Sequence, residues 1–140
     1  MIDQLDEFHL AAWRAFLNAH AAVIDRIERE MAAAGVLPLG SYDVLVALHE
    51  APDQRLRLKE LASHIVLSRS TLTRLLDRLE ADRRGAYAVL TARGEEALRL
   101  AWPIYARGIA AHFTSLLQND DIRVLTRALG RVSDAARQDS

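Results

Sequence analysis

Residues 58–80 read LKELASHIVLSRSTLTRLLDRLE, and residues 81–91 continue as ADRRGAYAVLT. Lys59–Ile65 reads as a short helix, Val66-Leu67 as a brief connector, and Ser68–Glu80 as a second helix that Ser68 caps. Leu72, Leu75, Leu76 and Leu79 recur at steps of three and four and form its buried stripe. Ser70, Thr73, Arg74 and Asp77 lie off that stripe. Asp82-Arg83-Arg84-Gly85 reads as a turn and Ala86–Leu90 as a strand. Helix, short turn, polar-faced helix, basic turn and strand is the order of a winged helix-turn-helix. A recognition helix must hold to its domain by leucines while short polar and basic side chains enter the major groove. Ser68, Arg69, Ser70, Thr71, Thr73 and Arg74 supply that surface, and Arg83-Arg84 could enter a neighbouring minor groove.

The charge distribution agrees. Residues 55–84 hold eight basic side chains against four acidic ones, a net of +4, whereas the whole chain of 140 residues carries −1. One basic segment in a near-neutral chain points to a local anionic partner such as nucleic acid, although a solvated helix face has the same composition.

The flanks read as helix. Leu5, Phe8, Ala12, Trp13, Phe16, Leu17, His20, Val23, Ile24, Ile27 and Met31 mark one long helix over residues 5–34, stopped by Gly35. At about 1.5 Å per residue it is too long for so small a domain to cover. Part of its stripe should therefore meet another chain. Ser41 is the expected cap of the next helix, which stops near Ala51-Pro52-Asp53. Arg55–Leu58 alternates like a short strand. Thr91 caps a helix reaching His112, with a kink expected at Pro103. A last helix spans 120–136, with Ile122, Leu125, Leu129 and Val132 as its apolar face.

Composition excludes several classes. The 140 residues include no Cys, six Gly and three Pro, and 51% are hydrophobic, so the chain reads as mainly α, with no disulfide, Cys-ligated metal or thiol switch. No apolar run approaches a membrane span, and the acidic N-terminus is unlike a signal peptide, so a cytoplasmic protein is expected. There is no glycine-rich phosphate loop, no Gly-x-Ser-x-Gly elbow and no paired Glu-x-x-His motif, so an enzyme is not expected. Glu60 and His64 share a helix face but have no third ligand nearby, so neither metal nor cofactor is expected.

Residues 58–80 resemble the helix-turn-helix of MarR-type transcriptional regulators. Asp82-Arg83-Arg84-Gly85, with Tyr87–Thr91 and Gly94, is similar to that family's Asp-x-Arg wing and the start of its next helix. The resemblance covers nearly the whole chain. It implies a lobe over 37–103 between dimerisation helices 1–36 and 104–140, forming one intertwined domain. It also implies a homodimeric repressor on a pseudo-palindromic operator, released by a small molecule. The site residues it implies are Ser68, Arg69, Ser70, Thr71, Thr73, Arg74, Asp82, Arg83 and Arg84 on DNA. For a small aromatic or phenolic effector, Trp13, Phe16, Tyr42, Trp102 and Tyr105 could line a pocket, with Arg14 or His20 for a carboxylate, although plain core packing accounts for each alone. Cysteine-based peroxide sensing, a branch of the family, is excluded. The alternative is a dimeric helical interaction or antirepressor module that no longer binds DNA.

One departure stands out. In the family a longer segment separates the recognition helix from the Asp-x-Arg turn. Here Leu79-Glu80-Ala81 runs straight into Asp82, so a two-stranded wing is not expected. Either the wing is truncated or a wing-tip segment is absent from this sequence. The second reading is preferred, because the strand after Asp82 would otherwise lack a partner. An intact mass above 15.6 kDa would support it.

Overall fold

The structure, a computed structural model, describes residues 5–57, 60–61, 81–84 and 87–138, with 81–84 as backbone. Helix α1 (Glu7–Ala33) is capped by Asp6, whose carboxylate accepts from the His9 amide at 2.8 Å. It ends at Gly35, whose φ of +73° is the left-handed conformation that glycine adopts without strain. Helix α2 (Leu39–Glu50) begins two residues before the expected cap. Pro38 holds the N-cap position in extended backbone, and Ser41 is buried inside the helix. The apolar run Val36-Leu37-Pro38-Leu39 draws the helix start toward the core, and Leu39 is itself a core residue.

Strands β1 (Arg55–Arg57), β2 (Ala81–Arg84) and β3 (Tyr87–Leu90) form one antiparallel sheet in the order β1-β3-β2. The expected turn at Asp82–Gly85 is therefore corrected. Residues 82–84 are strand, paired Asp82 to Val89, Arg83 to Ala88 and Arg84 to Tyr87. The wing exists as a minimal hairpin of two four-residue strands. The strand after Asp82 has its partner, which removes the reason for preferring an absent segment.

Helix α3 (Ala92–His112) is capped by Thr91, whose hydroxyl accepts from the Gly94 amide at 3.1 Å. It runs unbroken through Pro103. Thr91→Ala is expected to cost about 1 kcal/mol, the usual value of such a cap, read as a lower urea midpoint at unchanged slope. Helix α4 (Asn119–Gln138) follows a short 3-10 turn.

The core lies between the C-terminal third of α1, all of α2, the inner face of the sheet and the N-terminal half of α3. Ile27, Met31, Val44, Leu45, Leu48, Leu61, Ala88 and Ala101 are essentially inaccessible there. Gly108 sets the approach of α3 to α1, because a Cβ added there would come within 2.9 Å of Ile27 Cγ1. His112 at the end of α3 contacts Glu30 of α1, Nε2 to Oε2, at 2.7 Å. No described helix is long and apolar enough to cross a membrane.

Candidate nucleic-acid interface and adjoining clefts

The sheet alternates by face. Leu56 is half-buried, and Ala88 and Leu90 are buried, on the inner face against the helices. Arg55 and Arg57 are exposed on the outer face. Cross-strand register places Arg57 opposite Tyr87 and Tyr87 opposite Arg84 in one row. The next row of the register pairs both Arg55 and Asp82 with Val89. Arg57 Nε donates to the Tyr87 hydroxyl at 3.0 Å. The Arg55 and Arg57 guanidinium carbons sit 4.9 and 5.5 Å from the Tyr87 ring centroid, within cation–π range.

Ser68, Arg69, Ser70, Thr71, Thr73 and Arg74 of the expected recognition helix lie outside the described residues, as does His64. Glu60 and Leu61 are helical, and Leu61 is fully buried, which anchors the start of the expected first helix of the motif to the core. Asp82, Arg83 and Arg84 are placed by backbone on β2.

The expected aromatic pocket residues fall into two groups. Tyr42 of α2 and Tyr105 of α3 meet edge to face at 5.1 Å, and Trp102 meets Tyr105 at 6.0 Å. Trp13, Phe16 and His20 form a separate run along α1, with centroid separations of 5.9 and 6.4 Å. Arg14 donates to Glu7 of its own helix at 3.1 Å.

Two clefts of about 640 Å³ each correspond to these groups. The first lies between α2 and α3 and is lined by Tyr42, Val46, His49, Glu50, Glu95, Glu96, Arg99 and Trp102. Arg99 Nε donates to Glu96 at 2.8 Å across the rim. The second lies between α1 and α4, with His9, Ala12, Trp13 and Phe16 facing Leu129, Gly130, Val132 and Ser133. The charged lining of the first cleft was not anticipated. Its signal is the spacing of Glu95, Arg99 and Trp102, which puts them on one face of a helix. Among the described residues, no three His, Asp or Glu side chains gather as a metal site.

Crowding by protein raises the Asp43 carboxyl above the ordinary carboxylate range. Burial raises the Tyr42 and Tyr105 hydroxyls, and the Asp43 charge adds to both. A raised folded-state value means that ionised Asp43 opposes folding, so its contribution to stability is lost as pH rises. Asp43→Asn is therefore expected to raise Tm at pH 7, with the gain vanishing once both states are protonated below pH about 3. Thermal melts across that range check this.

A model of the MarR family matches residues 37–82, from the start of α2 into β2. YkoM of Bacillus subtilis (strain 168), an uncharacterized HTH-type transcriptional regulator, is 29% identical over 131 residues, 84% of this chain and 83% of YkoM. Among solved structures, the fold matches AbsC, a MarR family transcriptional regulator from Streptomyces coelicolor, with a TM-score of 0.81 and 29% identity, over 96% of this chain and 98% of AbsC. It also matches Sco3205, a MarR family transcriptional regulator from the same organism solved in complex with DNA, with a TM-score of 0.83 and 27% identity, over 96% and 91% of the two chains.

The chain carries a MarR-family domain over residues 37–82 and shares the fold of MarR family transcriptional regulators.

MarR family regulators are non-enzymatic DNA-binding transcription factors. The family match ends at Asp82, so it takes in the helix-turn-helix and stops at the wing. The fold is shared more distantly with the MarR family protein Rv2887 of Mycobacterium tuberculosis, solved with p-aminosalicylic acid, at a TM-score of 0.67 and 22% identity over 86% of this chain and 96% of that one.

Proposed function

We propose that this chain is a cytoplasmic homodimeric repressor that binds a pseudo-palindromic operator and is released by a small aromatic effector. One observation carries the dimer. Helix α4 is strongly amphipathic, yet none of its residues is buried by its own chain. Its apolar face adjoins the uncovered α1 aromatics across the second cleft. Trp13 is 55% exposed and Val132 64% exposed, and such a surface is what a second copy buries. Residues 1–36 and 104–140 are accordingly the dimerisation region, and 37–103 the DNA-binding lobe.

Within the lobe, Ser68, Arg69, Ser70, Thr71, Thr73 and Arg74 read the major groove, and Asp82, Arg83 and Arg84 serve at the wing. The two-fold axis sets two recognition helices about one DNA turn apart. The effector reading is supported by the cleft between α2 and α3, which lies within the lobe and offers the Tyr42 and Trp102 rings. The p-aminosalicylic acid held by Rv2887 is of that class.

Fluorescence anisotropy with labelled DNA from upstream of the regulator's own gene, across a salt series, tests this. Preference for that DNA over a scrambled sequence, weakening with salt, is the expected result. No binding even at low salt would overturn it and favour the helical interaction module.

A further inference from the structure

We propose that Arg55, Arg57 and Tyr87 form a phosphate-docking platform that grips the DNA backbone beside the wing. The inference rests on the DNA-binding reading above and adds to it a surface that neither the recognition helix nor the Asp-x-Arg strand of the wing includes.

The argument begins with the length of the hairpin. Its strands hold four residues each, so the row nearest the tip is the Arg84–Tyr87 pair. Arg57 belongs to that same row, because β1 pairs with β3 at Tyr87. A longer hairpin would carry its tip away from β1. This one keeps β1 level with it. Neighbouring strands lie about 4.8 Å apart, so Arg57 and Arg84 stand roughly 10 Å apart across Tyr87. Each DNA strand presents a phosphate every 3.4 Å or so along the helix axis, so a backbone engaged by Arg84 has further phosphates within reach of Arg57.

The side chains are arranged for that task. Tyr87 gives Arg57 an acceptor at 3.0 Å and gives both β1 arginines a ring face, which restrains two long side chains that would otherwise lose much rotamer freedom on binding. A guanidinium has five N–H donors and the Tyr87 hydroxyl takes one from Arg57. Acids are present too: Glu60 acts on Arg57, and Asp82 shares the row of Arg55. Three arginines still outnumber them. The face offers little for a protein partner. Its rows hold Arg55, Arg57, Tyr87, Val89, Asp82 and Arg84, without the cluster of buried apolar anchors on which protein interfaces depend.

The test compares the wild-type full chain with Arg55→Ala/Arg57→Ala, using labelled upstream DNA and a scrambled duplex over a salt series. Both arginines are exposed, so the variant should fold, and circular dichroism and Tm check this. The expected result is roughly 10- to 100-fold weaker binding to both duplexes near 0.1 M salt. The slope of log K against log salt should become shallower by about 2 to 4, since a dimer removes four cations and each phosphate contact contributes about 0.9. Arg55→Lys/Arg57→Lys keeps the charges and should keep most of the slope. An unchanged slope and affinity would overturn the platform while leaving the DNA-binding reading intact, whatever happens to Tm. Loss confined to the preferred duplex would overturn it in favour of base contact. Failure of the wild type itself to bind either duplex at low salt would overturn both readings.

Discussion

Replacing Arg69 and Arg74 together by alanine is expected to weaken operator binding by about 100- to 10,000-fold and to erase the preference over scrambled DNA. A good side-chain contact to a base edge contributes about 1–3 kcal/mol of discrimination. Two such side chains per protomer act twice in a dimer. The effect differs in kind from that of the β1 arginines. Phosphate contacts weaken every sequence alike, whereas base contacts carry the preference. The same anisotropy series separates them, because the Arg69→Ala/Arg74→Ala variant should converge on the wild type's binding to scrambled DNA. Equal losses on both duplexes would make these arginines backbone contacts instead. Folding should be unaffected, because the sequence pattern assigns the apolar stripe expected of that helix to Leu72, Leu75, Leu76 and Leu79.

The second large effect concerns assembly. Phe16→Glu/Val132→Glu is expected to convert the proposed dimer to a monomer at micromolar concentration, measured by light scattering behind a sizing column. Both side chains line the α1–α4 cleft, and both are exposed in the single chain, at 44% and 64%. A carboxylate at either site costs the isolated chain little. Buried against a second copy it would be an unpaired charge, costing several kcal/mol each. Operator affinity should fall with the dimer, because each half-site would then be bound separately and the advantage of linking them is lost. A variant that remains dimeric would place the interface elsewhere.

Much of this was legible in the sequence. The apolar stripes at steps of three and four gave α1 and α4 within a few residues, and the Thr91 cap marked the start of α3. These signals are local, and local geometry repeats them. Three features were less legible. Ser41 has the chemistry of a cap, but the helix starts at Leu39, because that leucine is buried and Pro38 already supplies an extended φ of −64° and ψ of 157°. Ala81–Arg84 carries turn-like residues, and it becomes a strand because β3 offers it a partner edge. The aromatic set splits because Trp13 and Phe16 lie near the far end of α1 from the core residues Ile27 and Met31. Sequence spacing places residues on a face of one helix. It does not say which other helix will reach them.

Helix α1 has one further consequence. Its last turns are locked into the lobe by Ile27 and Met31, while none of the residues in its first four turns is buried among the described residues. In the proposed dimer a second copy would cover those turns, and the free energy of folding would then depend on how many copies are present. Newly made or diluted chains should exchange the amide protons of residues 7–20 quickly and yield first to proteases there. In the cell the proposed pairing would make the regulator's lifetime rise with its copy number.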